Sequence, residues 1–322
     1  MRQFIAGPNE DGVRLSRFVL QVTHEFPSAL LYKSFRNKRI KVNGKRAEAD
    51  TRLCIGDLIE LYINDEFFGA PSRSYRPAPN SLTALPLAIV WQNPDIAVLY
   101  KPAGLLCHSD ATGDSTLLDA FEQHLTDTGE FCPQDELVFT PALCHRLDRG
   151  TEGLIIGAKT QPALRDMNEI IRLDLLQKTY LCITESIPPQ GECRAYLTRN
   201  KASRTSLVSN TQLPGSKPIV TQIKVKETHR NFALCEIALL TGRTHQIRAH
   251  LSFLGAPLLG DTKYGNKETN CRHHQFSQLL CAHHLRFSRL LPKTNGMAAL
   301  AGQEFDVPNP TPLTWWENWK KV

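Results

Sequence analysis

One carboxylate, Asp148, stands between two arginines in the run His145-Arg146-Leu147-Asp148-Arg149-Gly150-Thr151-Glu152-Gly153. Apolar residues bracket that run, with Leu137, Val138 and Phe139 leading in and Leu154, Ile155 and Ile156 leading out. The second group is short and β-branched and precedes Ala158-Lys159-Thr160, which predicts a buried strand. Gly150 and Gly153 let the backbone turn tightly before that strand. Asp148 is thereby placed on a loop held by apolar segments, a common way to present a reactive group. The competing reading is a turn cap paired with Arg146 or Arg149, a frequent role for aspartate.

Two other groupings could carry chemistry. Cys271, His273, His274, Cys281, His283 and His284 crowd a short stretch, and thiolates with imidazoles suit zinc. Their spacing is not that of a familiar finger, and no metal is expected. Asp261 could join Asp148 as the second carboxylate of a glycosidase-like hydrolase. There is no Gly-x-x-x-x-Gly-Lys loop and no Gly-x-Gly-x-x-Gly fingerprint, so no nucleotide cofactor is expected.

The chain of 322 residues has room for two domains, and 41% hydrophobic content supports a folded core. Its net charge of +6, from 38 basic and 32 acidic residues, is compatible with a polyanionic partner. Nine cysteines, an odd number without scaffold spacing, fit a reduced cytoplasmic protein. No apolar run reaches membrane-spanning length and the N-terminus lacks a signal-peptide stretch, so no membrane association is expected.

The elements that must position these groups follow from periodicity. Residues 13–20 have helical spacing, and Pro27-Ser28 opens a second helix with Ser28 as its cap. Ile40 and Val42 alternate ahead of Asn43-Gly44, the mark of a strand and tight turn, and residues 55–61 form a closing strand. Lys33, Arg36, Lys38, Arg39, Lys41, Lys45 and Arg46 follow one another with no acid among them, which by itself describes a solvated face. Residues 66–88, with Pro71, Pro77, Pro79 and Pro86, read as a linker between units 1–65 and 89–322. Strands are predicted at 89–91 and 96–100, around an Asn93-Pro94-Asp95 turn and leading into Lys101-Pro102-Ala103-Gly104. A helix begins at Thr116 and another covers 163–176. Strands follow at 178–183, 221–225 and 232–240, with an exposed polar excursion over 194–217. A helix after Thr244 brings Arg248 about one turn from His245. Trp315, Trp316 and Trp319 share one face of a short helix docked on the body.

The Asp148 loop, with Lys101-Pro102-Ala103-Gly104 before it and Thr241-Gly242-Arg243-Thr244-His245-Gln246-Ile247-Arg248 after it, resembles the RluA-type pseudouridine synthases. Their signature is His-Arg-Leu-Asp, two free positions, Thr, a small residue and Gly. Glu152 stands where that small residue, usually serine, is common. Lys178-Thr179-Tyr180 matches the family's Lys-x-Tyr motif, residues 255–265 continue its third motif, and 280–287 resemble its last. The likeness spans about 89–290. Residues 13–64, with the hairpin Val42-Asn43-Gly44-Lys45, resemble the small RNA-binding module named after ribosomal protein S-four.

The resemblance implies an α+β fold. It comprises a small N-terminal α-L RNA-binding domain and a catalytic domain with a large mixed, mainly antiparallel sheet and a central cleft. It implies cofactor-free isomerisation of uridine in RNA, with Asp148 as the essential group and Arg248 as its ion-pair partner. Tyr180 would lie against the uracil and Leu285 would wall the pocket. Arg146 would fill the space left by an extruded base or hold phosphate, with His145 also on the substrate side and Lys101, grouped with them, supporting the floor of the site. Lys38, Arg39, Lys41 and Lys45 would contact RNA phosphates. Large-subunit ribosomal RNA is the favoured substrate, transfer RNA the alternative, and a monomer the expected state. A non-catalytic ribosome-assembly protein is the remaining reading, and the presence of Asp148, Tyr180 and Arg248 together speaks against it. Whether Asp148 attacks the sugar, attacks the base or removes a sugar proton stays open.

Overall fold

The computed structural model describes residues 1–68, 87–110, 113–200, 205–291 and 297–321. Most of the proline-rich stretch read as a linker, including Pro71, Pro77, Pro79 and Pro86, lies outside the described residues.

The N-terminal module runs β1 (Arg2–Ile5), α1 (Leu15–Val22), α2 (Ser28–Arg36), β2 (Ile40–Val42), β3 (Lys45–Arg46) and β4 (Leu58–Leu61). Its antiparallel sheet has the order β1-β4-β2-β3. Phe18, Val19, Leu31, Phe35, Ile40 and Ile59 meet in one buried cluster between the helices and the sheet. Ser28 is the first helical residue of α2 and makes no capping bond; Pro27 occupies the cap position instead. Its ring pre-sets φ for entry into the helix. Asn43 and Gly44 both have positive φ, 52° and 74°, as a two-residue hairpin turn requires. The Asn43 side chain also accepts from Leu58 N (2.9 Å) and so ties the hairpin to β4.

The larger unit contains β5 (Ala88–Gln92), β6 (Ile96–Lys101), α3 (Leu117–Asp127), β7 (Ala142–Leu143), β8 (Glu152–Ala158) and α4 (Gln161–Arg172). It continues with β9 (Leu176–Thr184), β10 (Gly191–Asn200), β11 (Thr205–Ser209), β12 (Lys217–His229), β13 (Phe232–Leu239) and α5 (Gln246–Phe253). The chain ends with α6 (Lys267–Arg272), β14 (Leu280–Phe287), β15 (Glu304–Asp306) and α7 (Thr311–Trp319). These strands form one mixed sheet in the order β11-β10-β12-β13-β9-β14-β8-β6-β5, with β7 also on β8 and β15 on β14. Among the described strands, β14 and β8 pair in parallel and the other pairs are antiparallel.

β8 is buried along its whole length, which explains its unbroken apolar run. Ile155 faces the cluster containing Phe121 of α3, whereas Leu154 and Ile156 face the one containing Met167 and Ile170 of α4. Gly153, at φ +126°, sits where a Cβ would strike the Ala282 backbone across the parallel pair. α3 starts as the sequence indicates, at Thr116, whose hydroxyl accepts from Asp119 N in a reciprocal capping box.

Three expectations change. The helix predicted to reach residue 176 stops at Arg172, because Asp174 takes a left-handed φ of 57° and Leu176 opens β9. The excursion over 194–217 is largely the β10–β11 hairpin, residues 201–204 of which lie outside the described residues. Leu137 and Val138, which precede the Asp148 loop in sequence as an apolar brace, belong instead to the core of the N-terminal module.

The two units are docked as well as joined in sequence. Asn9 Nδ2 donates to both Glu136 carboxylate oxygens (2.8 and 2.9 Å), and Asn9 Oδ1 accepts from Gln161 N (2.9 Å) at the start of α4. Gln21 Nε2 donates to Val138 O (3.0 Å), and Arg165 pairs with Asp11. α7 packs by its fully buried Trp316 onto Leu181, Ile183, Leu234 and Leu259, with Trp315 and Trp319 half-buried beside it. Among the described residues no helix is long and apolar enough to cross a membrane.

Candidate active site

The Asp148 loop joins β7 to β8 and is pinned from below. Thr151 N donates to Asp148 O (3.0 Å), closing the turn. Lys101 Nζ donates to the carbonyls of Pro102 (2.9 Å), Leu105 (2.8 Å) and Arg149 (3.1 Å). Gly104 N donates to that same Arg149 carbonyl (2.8 Å), and Cys107 Sγ bridges Leu147 N and O (3.3 Å each). Lys101 is fully buried beneath the loop, on the floor of the site and not among direct substrate contacts. Burial pulls its ammonium down to about 8. Gly150 leaves room for a neighbouring side chain and does not serve the tight turn the sequence suggests. Its φ is not left-handed, but a Cβ would come within 2.5 Å of Gln278 Oε1, whose amide nitrogen donates to Thr151 Oγ1 (3.0 Å).

Asp148 pairs with neither neighbouring arginine. Arg149 turns away to Asp114 (2.9 Å), and Arg146 is exposed at the mouth of the cleft. The partner is Arg248, on the first turn of α5, whose Nη1 donates to Asp148 Oδ2 (2.9 Å). From its other edge Arg248 donates Nε and Nη2 to Asp261 (2.7 and 2.9 Å). Asp261 is fully buried and also accepts from Lys263 N (2.8 Å) and Tyr264 N (3.0 Å). Burial disfavours the guanidinium's charge, but the two carboxylates outweigh it and raise the Arg248 pKa. With its oxygens spent on Arg248 and the loop, Asp261 anchors the arginine and does not line the cleft. That arrangement removes it as the second carboxylate of a hydrolase.

The motif before α5 is stitched by Gln246. Its Oε1 accepts from Thr241 Oγ1 (3.0 Å) and Arg243 N (3.1 Å), and its Nε2 donates to Val220 O and Thr221 Oγ1 (3.2 Å each). The cleft above these groups measures about 350 Å³, at the small end for a ligand site. Asp148, Tyr180, Arg248, Arg146 and His145 all line it. Tyr180 lies on β9, buried, and burial together with the Asp148 charge pushes its hydroxyl above the ordinary phenol range, so it is a neutral phenol. His145 accepts from Ile156 N through Nε2 (3.2 Å), and burial, helped by Lys178, pushes it down to about 3. It is therefore a neutral ring held by β8.

Leu285 does not line the cleft. It is fully buried in the cluster with Met167, Leu176 and Phe305, and Leu280, on the same strand, reaches the cleft instead. A β-bulge lies between the two positions, from Cys281 to His284, so the strand does not run regularly from one to the other. Lys178 and His245 also line the cleft, within motifs already recognised but without an assigned role. Lys38, Arg39 and Lys45 are exposed on the N-terminal hairpin and Lys41 is half-buried, its ammonium 5.2 Å from the Tyr62 ring centre. They belong to a separate surface and do not line the cleft.

Glu152 departs from the family pattern for a structural reason. Its carboxylate accepts from Tyr100 Oη (2.9 Å), Thr311 Oγ1 (2.7 Å) and Thr311 N (2.7 Å), which fastens the start of α7 to β8. The Cys and His cluster disperses: Cys271 is exposed, His273 packs among Phe232, Trp315 and Trp319, and His284 bonds Asp306 (2.8 Å). Among the described residues no three His, Cys, Asp or Glu side chains converge as metal ligands.

Residues 95–253 match the family described as RNA pseudouridylate synthase. A Rickettsia conorii protein named ribosomal large subunit pseudouridine synthase C is 30% identical over 266 residues, covering 79% of this chain and 83% of the relative. The Haemophilus influenzae protein of the same name is 28% identical over 272 residues, covering 81% and 78%. The solved structure of human RNA pseudouridylate synthase domain containing 4 shares the fold, with a TM-score of 0.55 at 22% identity over 70% of this chain and 89% of that one.

Proposed function

We propose, from the premise that this chain belongs to the RluA-type RNA pseudouridine synthases and isomerises uridine in RNA to pseudouridine, that Asp148 is the essential catalytic group and large-subunit ribosomal RNA the substrate. The observation that carries the first part is the Asp148–Arg248–Asp261 bridge. It sets a carboxylate at the wall of a cleft against a guanidinium that cannot leave, because a buried second carboxylate holds its far edge.

The reaction breaks the bond between the ribose C1′ and uracil N1, turns the base, and joins C1′ to C5; the C5 proton is lost and N1 gains one. Redox state is unchanged, so this chain's own groups suffice. Asp148 acts at the sugar–base junction, where a covalent or proton-transfer step divides one hard displacement into two easier ones. Tyr180, neutral and beside Asp148, lies against the detached uracil. Leu147, Ile171, Leu239 and Leu280 supply apolar walls that keep water from the detached base. Arg146, at the mouth, enters the stack from which the uridine is drawn or holds its phosphate, offsetting an extrusion cost of about a few kcal/mol.

The N-terminal module binds RNA through Lys38, Arg39, Lys41 and Lys45, adding phosphate contacts remote from the cleft. The cysteines are all free thiols, which supports a reducing compartment, the cytoplasm. The substrate half rests on the names of the Rickettsia conorii and Haemophilus influenzae relatives. Its test is incubation of the purified protein with unmodified large-subunit ribosomal RNA and, separately, unmodified transfer RNA, followed by pseudouridine mapping. Discrete sites in the ribosomal RNA are expected; modification confined to transfer RNA would overturn that assignment.

A further inference from the structure

We propose that His245 is a positioning residue for Asp148: a neutral imidazole that donates from Nε2 to the carboxylate, with its tautomer set by a hydrogen-bond chain that begins on β11. The inference rests on the reading of Asp148 as the essential group.

The chain starts at Ser206, buried in β11, whose backbone N–H donates to Tyr264 Oη (2.7 Å). That bond occupies the phenol oxygen as an acceptor and leaves its own proton to give. Two groups are within reach of that proton, the Ser206 hydroxyl and His245 Nδ1, the latter 2.9 Å away, and in this chain of bonds it goes to the ring nitrogen. A ring nitrogen that accepts carries no proton, so the proton of the neutral imidazole resides on Nε2. Nε2 faces Asp148 Oδ2 at 3.8 Å. Burial opposes a charge on the ring; Asp148 and Asp261 favour it, Arg248 and Lys263 oppose it, and the balance lowers the His245 pKa. The neutral form with one fixed donor is the form present at neutral pH.

The backbone supports the same conclusion. His245 stands in the left-handed region, φ 57° and ψ 20°, immediately before α5. Histidine is among the non-glycine residues that adopt this region most readily, so the position is held without strain. Ser206 Oγ donates to Thr244 O (2.9 Å), and Gln246 stitches the next position to β12, so both neighbours of His245 are held. The ring is thereby aimed at Asp148 and not left free to find its own partner.

Arg248 already donates to Oδ2 (2.9 Å). A second donor on that oxygen fixes the rotation of the carboxylate about its last bond. Among the described residues Oδ1 takes no hydrogen bond, which leaves it as the oxygen offered to the nucleotide. At 3.8 Å the Nε2 approach is longer than a hydrogen bond, and a small ring tilt closes it when substrate fills the cleft, as active-site contacts commonly tighten on binding. Because Ser206 belongs to the β10–β11 hairpin, the orientation of the carboxylate is tied to the seating of that hairpin.

The test uses the full-length protein. Single-turnover rates at saturating ribosomal RNA, RNA affinity, and ¹⁵N spectra of labelled histidines are measured for wild type, His245→Gln, His245→Ala, Tyr264→Phe and Asp148→Asn. The glutamine amide nitrogen takes the place of Nε2, so His245→Gln is expected to stay within about threefold of wild type. His245→Ala loses on the order of 30-fold, as for one hydrogen bond to a charged group, at unchanged RNA affinity. The spectra are expected to place the neutral ring of His245 in a single Nε2–H form at pH 8 in wild type and in mixed tautomers in Tyr264→Phe. A purely structural role would leave the tautomer alone and would not be rescued by glutamine. A wild-type rate for His245→Ala, glutamine as damaging as alanine, or an Nδ1–H tautomer in wild type would each overturn the proposal. If Asp148→Asn is inactive while His245→Ala is unimpaired, this inference alone fails; if Asp148→Asn is active, the reading beneath it fails.

Discussion

Replacing Asp261 with asparagine separates the work of holding Arg248 from the work of chemistry. Asp261 is fully buried and takes two charge-assisted bonds from Arg248 together with two backbone amides. The asparagine keeps an oxygen for the amides but turns an NH₂ group against the guanidinium, donor against donor. Breaking one side of a buried ion pair costs about 3–5 kcal/mol. Arg248 retains Asp148 as a partner, so the lower end, about 3 kcal/mol, is expected, with a fall in Tm of about 5–10 °C. The saturated single-turnover rate should drop about 10- to 100-fold, because an arginine released from its anchor no longer fixes the Asp148 carboxylate. RNA affinity should stay unchanged, since Asp261 has no surface in the cleft. The pH dependence has a definite sign. Burial raises the Asp261 pKa, yet Arg248 and the two amides outweigh it and hold the carboxyl below its ordinary 3.8. A depressed carboxyl adds stability that is complete above the unfolded value and is lost as pH falls through the folded one. The gap between wild type and Asp261→Asn should therefore be constant near neutrality and narrow below about pH 4. Denaturant titrations at pH 7 and across the acid range, with single-turnover kinetics at neutral pH, measure all three. Wild-type stability and rate would refute the anchoring role; complete loss of activity at full stability would make Asp261 a reacting group.

Neutralising Lys38, Arg39, Lys41 and Lys45 together should weaken RNA binding and flatten its logarithmic salt dependence by up to about three, at roughly 0.7–0.9 for each phosphate no longer neutralised. The saturated single-turnover rate should hold within about twofold, as for remote binding groups; a large fall in that rate at intact affinity would contradict the division of labour. Lys101→Met should destabilise the fold by about 1–3 kcal/mol, since three carbonyls lose the buried ammonium that ties them together, and thermal unfolding reads this directly. Glu152→Ala should cost about 2–3 kcal/mol and loosen α7, seen as an earlier change in the fluorescence of Trp315, Trp316 and Trp319; an unchanged midpoint would refute the fastening role.

Local pattern carried much of this fold. The β8 strand, the Asn43-Gly44 turn and the Thr116 start of α3 depend on neighbours in sequence, and each was legible there. The errors arose where a distant partner decides. Leu137 and Val138 are apolar in any reading, but only the docked N-terminal module determines whose core they join. Lys101 could be read as supporting the floor of the site, but the three carbonyls that close on its ammonium are fixed only by the folded loop. Leu285 is an apolar residue in a matching motif, and the cluster it joins is made by Met167, Leu176 and Phe305 from elsewhere in the chain. Within the site, Arg248 was visible because its motif is contiguous. Asp261 and Tyr264 gain their roles by bonds across the turn after α5, which residue type and spacing do not encode.

The most direct measurement compares pseudouridine maps of large-subunit ribosomal RNA from cells lacking the gene, complemented with wild type or with Asp148→Asn. The amide keeps the size of the side chain and removes its charge, leaving the braces on the loop in place. Wild type is expected to restore discrete sites, and Asp148→Asn to restore none while accumulating to the same level and binding RNA with similar affinity. Restoration of those sites by a homogeneous Asp148→Asn protein would contradict the assignment of Asp148 as the essential group.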